Sequence, residues 1–259
     1  MQDLTFPRIS AVVITYNESE NIRSCLEALQ RVADEVVVVD AFSEDDTVEI
    51  CVRMGVKVLQ RKWQGYSASK NYGNENCEND WILSIDADEV LSEELIASIK
   101  RLPLQKGRVY RLDRINNFCG QWIRHSGWYP DWKIRLFNRT EVHWEGDYVH
   151  ETLRVPSHFR EEKLWGKLWH YSYKSVEDHL QRIERYSELA AQELFAGNKR
   201  PSPLRQMLSP YARFWNTFLF KLGFLDGRNG YLISKHNALL VRKKYHKLEG
   251  LYEQKSFRT

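Results

Sequence analysis

Two aspartates separated by one residue, Asp86 and Asp88, follow the apolar run Trp81-Ile82-Leu83-Ser84-Ile85. Side chains alternate along an extended strand, so positions i and i+2 share a face. Read this way, two carboxylates leave the carboxyl end of a buried strand side by side. Close like charges are costly unless a cation neutralises them, and a hard divalent ion with oxygen ligands does so. The pair suits Mg2+ or Mn2+ shared with the phosphates of a substrate. The same residues also fit an acidic loop or a helix N-cap, because the stretch 84–94 is acidic in any case.

A third carboxylate stands in different surroundings. Asp131 lies among Trp122, Trp128, Tyr129 and Trp132, and flat aromatic faces suit the C–H faces of sugars. An apolar surround raises a carboxylate's pKa toward that of a useful general base. Pro130-Asp131 reads equally well as a turn. His150 and Glu151 form a rival pair: His150 as a metal ligand or a structural histidine, Glu151 as the base or as an ion-pair partner of Arg135. Arg135 is a candidate for holding phosphate or sugar and reads more naturally as structural. His170, between Trp169 and Tyr171, reads as core. Lys70 offers a point charge for a nucleotide, although most lysines lie on the surface.

The elements that must position these groups alternate along the first ninety residues. The run Ala11-Val12-Val13-Ile14 precedes Thr15-Tyr16-Asn17-Glu18 and a helical pattern through Ile22, Leu26 and Leu29. Val36-Val37-Val38-Val39 ends in Asp40. A capped helix is predicted over Ser43–Met54, with Val48, Cys51 and Val52 on one face and Gly55 closing it. Val56–Leu59 is a third strand, and Ser67–Asn76 a helix before the fourth. β-Branched runs separated by helices indicate an α/β fold whose parallel sheet is covered on both faces. Ligands bind outside the carboxyl ends of such strands. Thr15, Asn17, Asp40, Asp86 and Asp88 all fall there, so Thr15 is predicted to line the pocket, Asn17 to frame a base, and Asp40 to accept from base or ribose.

These residues carry a resemblance. Ile14-Thr15-Tyr16-Asn17-Glu18, Val38-Val39-Asp40-Ala41-Phe42-Ser43, Ala68-Ser69-Lys70-Asn71 and Asp86-Ala87-Asp88-Glu89 resemble the ordered signature of family 2 glycosyltransferases with the GT-A fold. The later blocks Gly127-Trp128-Tyr129-Pro130-Asp131, Arg135-Leu136-Phe137, Val149-His150-Glu151 and Leu222-Gly223-Phe224-Leu225-Asp226-Gly227 resemble the bacterial lipopolysaccharide inner-core β-1,4-glucosyltransferases. One departure is Phe42, where the family often has a small residue or glycine. The resemblance implies a nucleotide-sugar site holding Glu18 and Lys70 beside Thr15, Asn17, Asp40, Asp86 and Asp88. It also implies direct metal coordination by Asp88, with Asp86 acting through water or on the ribose, and it favours Asp131 as base over a turn. Trp128, Tyr129, Trp132 and Arg135 would face the acceptor.

Composition sets the remaining bounds. The four cysteines are widely spaced, with no C-x-x-C pair and no secretory leader before Ile9, and read as buried free thiols in a reducing compartment. No apolar stretch is long enough for a transmembrane helix. Residues 1–196 hold 25 Lys and Arg against 32 Asp and Glu, whereas residues 197–259 hold 13 against 3. The aromatic residues of that basic tail, Tyr211, Phe214, Trp215, Phe218, Phe220, Phe224 and Tyr231, fit an anionic membrane surface or simple core packing, and nothing resembles a nucleic-acid module. Gly197-Asn198-Lys199-Arg200-Pro201-Ser202-Pro203 is a hinge. The predicted organisation is a GT-A catalytic domain over 1–196, with a nucleotide-sugar half at 1–90 and an acceptor half at 91–196, and a basic helical extension over 197–259.

The reading is an inverting, metal-dependent transferase that moves glucose from UDP-glucose to a lipid-linked heptose, on the cytoplasmic face of the bacterial inner membrane. Rival readings are the same fold with a polyprenyl phosphate or capsule precursor as acceptor, and a non-catalytic glycan- or membrane-binding relative. A nucleotidyltransferase would need a Gly-rich basic loop that Thr15-Tyr16-Asn17-Glu18 does not provide.

Overall fold

The computed structural model describes residues 7–146 and 151–256. Its first part alternates as the sequence predicts: β1 (Ile9–Thr15), α1 (Ile22–Leu29), β2 (Glu35–Asp40), α2 (Thr47–Arg53), β3 (Lys57–Gln60), α3 (Tyr66–Glu75) and β4 (Trp81–Asp86). β3, β2, β1 and β4 lie in that order and pair in parallel. There follow β5 (Glu89–Leu91), α4 (Glu93–Lys100), β6 (Arg108–Phe118), β7 (Gln121–Trp122), β8 (Asp131–Asn138), β9 (His143–Glu145), β10 (Thr152–Arg154) and β11 (Arg160–Tyr173). The sheet continues beyond β4 as β8, β6, β11 and β5, with antiparallel pairs β4–β8, β6–β8 and β5–β11. β9 and β10 form a separate antiparallel pair.

Alternation sorts the strand side chains into two layers. Ala11, Val13, Val36, Val38, Leu83 and Ile85 pack with α1, α2 and α4 on one face. Val12, Val37, Ile82 and Phe137 pack with Cys77 and Trp144 on the other. Helices therefore cover both faces, which is why these strands read as unbroken apolar runs. The expected face of α2 is corrected in detail. Thr47, Ile50 and Cys51, at spacings of three and one on a single face, are its buried residues and Val52 is exposed, and the helix begins only after Asp46. Gly73 has a specific duty in α3, since a Cβ there would lie 2.4 Å from Val12 Cγ1. The helix rests directly on β1, and that contact fixes the position of Lys70 one turn earlier.

The described residues form two compact units, one from 7–114 with 131–146 and 151–171, the other from 115–130 with 172–256. In the second, α5 (Val176–Ala196), α6 (Pro203–Trp215) and α7 (Gly227–Ser256) carry the chain to Ser256. The helix break predicted at the Gly197–Pro203 stretch falls between α5 and α6. Phe118, Ile123 and Ile233 form a small core with Trp128 and Tyr173 packed on it. Asp226 is buried and accepts from the Arg124 and His125 amides, both at 3.1 Å, and from the Ser126 hydroxyl at 2.8 Å. No helix among the described residues is long and apolar enough to cross a membrane. All four cysteines are free, and Cys25, Cys51 and Cys77 are buried.

Candidate active site

The loops after β1 and β2 are stitched together at the carboxyl edge of the sheet. The Ala41 amide donates to the Thr15 carbonyl at 3.0 Å, the Asn17 amide to Ser43 Oγ at 2.9 Å, and the Glu44 amide to Asn17 Oδ1 at 2.8 Å. The Glu18 amide donates to Thr47 Oγ1 at 2.8 Å. Asn17 and Phe42 both take left-handed backbone, with φ of 54° and 63°. Phe42 accepts a conformation that glycine adopts more cheaply. Asp40 is fully buried and accepts from the Ser43 amide and hydroxyl and from Gln60 Nε2. It shapes the loop from below. Thr15 Oγ1 is buried with no hydrogen-bond partner among the described residues.

Beside this loop lies a chain of ion pairs. Asp86 shares its strand face with Ile82 and Ser84, the face covered by α3, so it meets Lys70. Lys70 Nζ is 3.3 Å from Asp86 Oδ1 and 2.9 Å from Glu151 Oε1, and sits 4.5 Å from the Trp144 ring centroid. It is 1% exposed, the opposite of a surface lysine. The β4–β8 register brings Leu83 opposite Leu136, so Arg135, one step on, shares the Asp86 face. Arg135 Nη2 donates to Asp86 Oδ2 at 2.6 Å and to Glu89 Oε1 at 2.5 Å. Burial alone would push the Asp86 carboxyl up, but Arg135 and Lys70 outweigh it and hold it well below the usual carboxylate range.

Glu89 is fully buried and links this group to the next. Its Oε2 accepts from the Asp86 amide at 3.0 Å, and its Oε1 also meets Arg114 Nη1 at 3.1 Å. Arg114 is the cross-strand neighbour of Asp131 and donates through Nε to Asp131 Oδ2 at 2.8 Å. Lys133, two residues along the same strand face, is 3.0 Å from Asp131 Oδ1. The raised pKa expected at Asp131 is corrected. Burial does push the carboxyl up, but Arg114 and Lys133 pull harder, and it sits below its ordinary value.

The chain turns at Ala87-Asp88, so the strand alternation ends at Asp86. Asp88 Oδ2 lies 3.1 Å from His170 Nε2, and its carbonyl accepts from the Tyr171 amide at 2.9 Å. Among the described residues no three His, Cys, Asp or Glu side chains converge as a metal cage. Asp88 offers a hard oxygen donor, and Asp86 Oδ1 is buried with only the Lys70 ion pair at 3.3 Å, and no hydrogen bond, among the described residues. These residues fit a divalent cation that takes one or two ligands from protein and the rest from phosphate and water, the usual arrangement for Mg2+ at a nucleotide.

The first unit thus brings together Lys70, Asp86, Asp131, Arg135 and Glu151 in one ion-pair chain, with Asp88 in the turn after β4. Glu151 pairs with Lys70 and not with Arg135. His170, expected in the core, contacts Asp88 instead. Glu89 and Arg114 escaped sequence reasoning, although Glu89 directly follows the aspartate pair. Trp132 lies under Lys163 Nζ at 4.6 Å. Trp128 packs against Phe118 and Tyr173 in the second unit, which also holds Tyr129. His150 lies outside the described residues.

Comparison with known proteins agrees with this architecture. Residues 10–166 match the model of Glycosyl transferase family 2. A protein of Rickettsia bellii described as an uncharacterized glycosyltransferase is 30% identical over 246 residues, covering 90% of this chain and 83% of the relative. The lipopolysaccharide core biosynthesis glycosyltransferase LpsC of Rhizobium meliloti is 25% identical over 239 residues, covering 89% and 88%. Among solved structures, glucosyl-3-phosphoglycerate synthase of Mycobacterium tuberculosis aligns at a TM-score of 0.37 and 19% identity over 43% of this chain and 44% of that one, a partial likeness. The family model spans more than half of the chain, including the loops after β1 and β2 and the aspartates after β4, and the chain belongs to glycosyl transferase family 2.

Proposed function

We propose that this protein is an inverting, metal-dependent glycosyltransferase that moves glucose from UDP-glucose onto a heptose of the lipopolysaccharide inner core. The observation that carries the reading is the placement of Asp86 and Asp88 at the carboxyl end of β4, with the buried Lys70 and Arg135 against Asp86. The named role of LpsC supports the acceptor class. The acceptor is lipid-linked, so the enzyme works peripherally at the cytoplasmic face of an anionic membrane.

The loop of Thr15, Asn17 and Glu18 holds the nucleotide, with Asp40 fixing its shape through Ser43. Asp88 holds the divalent cation, with Asp86 and His150 as further candidates. When bound, that ion stabilises the charge developing on the leaving diphosphate. Lys70 and Arg135 keep Asp86 ionised and in place. Asp131 takes the proton from the acceptor hydroxyl as it attacks the anomeric carbon from the face opposite the diphosphate. Its low pKa keeps it deprotonated but makes it a weak base. One observation favours a second reading: Glu151 Oε2 is buried with no hydrogen-bond partner among the described residues, which suits Glu151 as the base.

A thermal-shift panel of UDP-, GDP- and CDP-sugars with and without Mn2+ tests the donor. A ligand that binds the native state raises its apparent stability. UDP-glucose with Mn2+ is expected to give the largest rise; equal rises with all three nucleotides would overturn the assignment.

A further inference from the structure

The helix α6 buries none of its thirteen residues. Leu204, Met207, Leu208, Tyr211 and Trp215 stand at positions i, i+3, i+4, i+7 and i+11, so they form one stripe, and all five are exposed. The stripe runs on into the π-helical turn Asn216–Phe220, where Phe220 is 80% exposed. Other aromatics of the same segment turn inward: Phe214 stacks on Phe218 at 5.5 Å, and both meet the edge of Tyr231. The inner face is thus already partnered, and the outer face is apolar without a covering element among the described residues. A contiguous exposed patch of this kind marks an interaction surface.

Charge identifies what covers it. From Gly197 to Leu225 the chain carries Lys199, Arg200, Arg205, Arg213 and Lys221 and no acidic residue. The next acid, Asp226, is buried and occupied by the Arg124–Ser126 loop. In α7, Lys243 and Lys247 pair with Glu184 of α5 and Lys244 lies over the Tyr245 ring, while Arg200 ahead of α6 lies over the Tyr252 ring, so Arg205, Arg213 and Lys221 are the cations that go with the stripe. A twofold contact between two copies of α6 would bring its cations against themselves, which is unfavourable. An anionic lipid surface accepts both the cations and the aliphatic and aromatic side chains.

We propose that the outward stripe of α6, extended by Phe220, is the element that docks this protein on an anionic lipid surface. The inference rests on the lipid-linked acceptor proposed above and gives that approach a location. It is tested by sedimentation with vesicles of phosphatidylethanolamine and phosphatidylglycerol, and with phosphatidylcholine vesicles, at low and high salt. The variants are Tyr211→Ser/Trp215→Ser/Phe220→Ser and Arg205→Gln/Arg213→Gln/Lys221→Gln. Trp165→Ser, which is 79% exposed on β11, serves as control. The wild-type and control proteins are expected to bind anionic vesicles, less strongly at high salt, and each triple variant to bind about tenfold more weakly or worse. Sedimentation velocity and the UDP-glucose thermal shift are measured on the same samples.

Failure of the wild-type protein to bind at low salt, equal binding to phosphatidylcholine, or full binding by the aromatic variant would each overturn the proposal. So would a wild-type dimer in lipid-free buffer that the aromatic variant abolishes, since a second copy would then cover the stripe. Loss of the UDP-glucose shift with vesicle binding intact would instead remove the donor assignment and leave the docking surface standing.

Discussion

Replacing Lys70 with Met removes an ammonium held between two carboxylates while keeping most of the side chain over Trp144. Asp86 retains Arg135, but Glu151 is left with no ion pair among the described residues. Removing one partner of a buried pair costs about 3–5 kcal/mol, and the lower figure applies because Asp86 keeps a cation. At about 2–4 °C per kcal/mol for a chain of this size, the melting temperature should fall by roughly 6–12 °C. Glu151→Gln alone leaves Lys70 paired with Asp86 and should cost about 1 kcal/mol. In the double variant the stranded carboxylate is gone, so its cost should fall short of the sum by about 1–2 kcal/mol. Urea denaturation of the four proteins measures each quantity. Additivity to within about 0.5 kcal/mol would show that Lys70 and Glu151 do not interact, and the ion-pair chain would lose its link to Glu151.

Two further outcomes follow from the same geometry. If Asp131 is the base, Asp131→Asn should slow transfer by about 10²- to 10⁴-fold with donor affinity nearly unchanged, and Glu151→Gln should cost much less; the reverse pattern in kcat would assign the base to Glu151. In the second unit, His179 Nδ1 and His236 Nδ1 are 2.9 Å apart and both buried, so at least one ring must be neutral to accept and the pair cannot hold two imidazolium charges. Burial first, then His236 of α7 and Arg182 of α5, push His179 down to about 4, while burial and Lys235 lower His236. The unfolded state therefore binds more protons between about pH 6.5 and 4, and stability should drop across that window as pH falls, by on the order of 3 kcal/mol for His179. Asp86 and Asp131, held low, keep their charge through it. His179→Gln should flatten the profile measured by thermal denaturation at pH 7 and pH 5; an unchanged slope would refute the assignment.

Much of the site was legible because apolar runs end where chemistry begins. Ile14, Val39 and Ile85 each precede a polar group at a strand end, and Asp40 and Asp86 stand at the ends of β2 and β4. What stayed hidden depends on register and turns. Nothing local pairs Arg114 with Asp131, because strand register is set by the folded sheet. Alternation placed Asp86 and Asp88 side by side, but the turn at Ala87-Asp88 interrupts the strand and sends Asp88 to His170. Flanking Trp169 and Tyr171 made His170 resemble core. Aromatic density around Asp131 suggested an apolar surround, whereas the deciding neighbours are Arg114, 17 residues away, and Lys133. For α6, composition showed the basic and aromatic character, but only the packing of Phe214 and Phe218 against Tyr231 separates the inward ring faces from the outward stripe.

Metal-dependent use of the donor by Asp88 is the point on which the proposed chemistry turns. Calorimetric titration of UDP-glucose into wild-type protein and into Asp88→Asn, each with Mn2+ and with chelator, measures it without needing the acceptor. Wild-type protein should bind markedly tighter with Mn2+ than in chelator, and Asp88→Asn should show one weak affinity under both conditions, because a neutral amide cannot replace an anionic oxygen ligand. Equal Mn2+ enhancement in the two proteins would contradict the assignment of Asp88 to the metal.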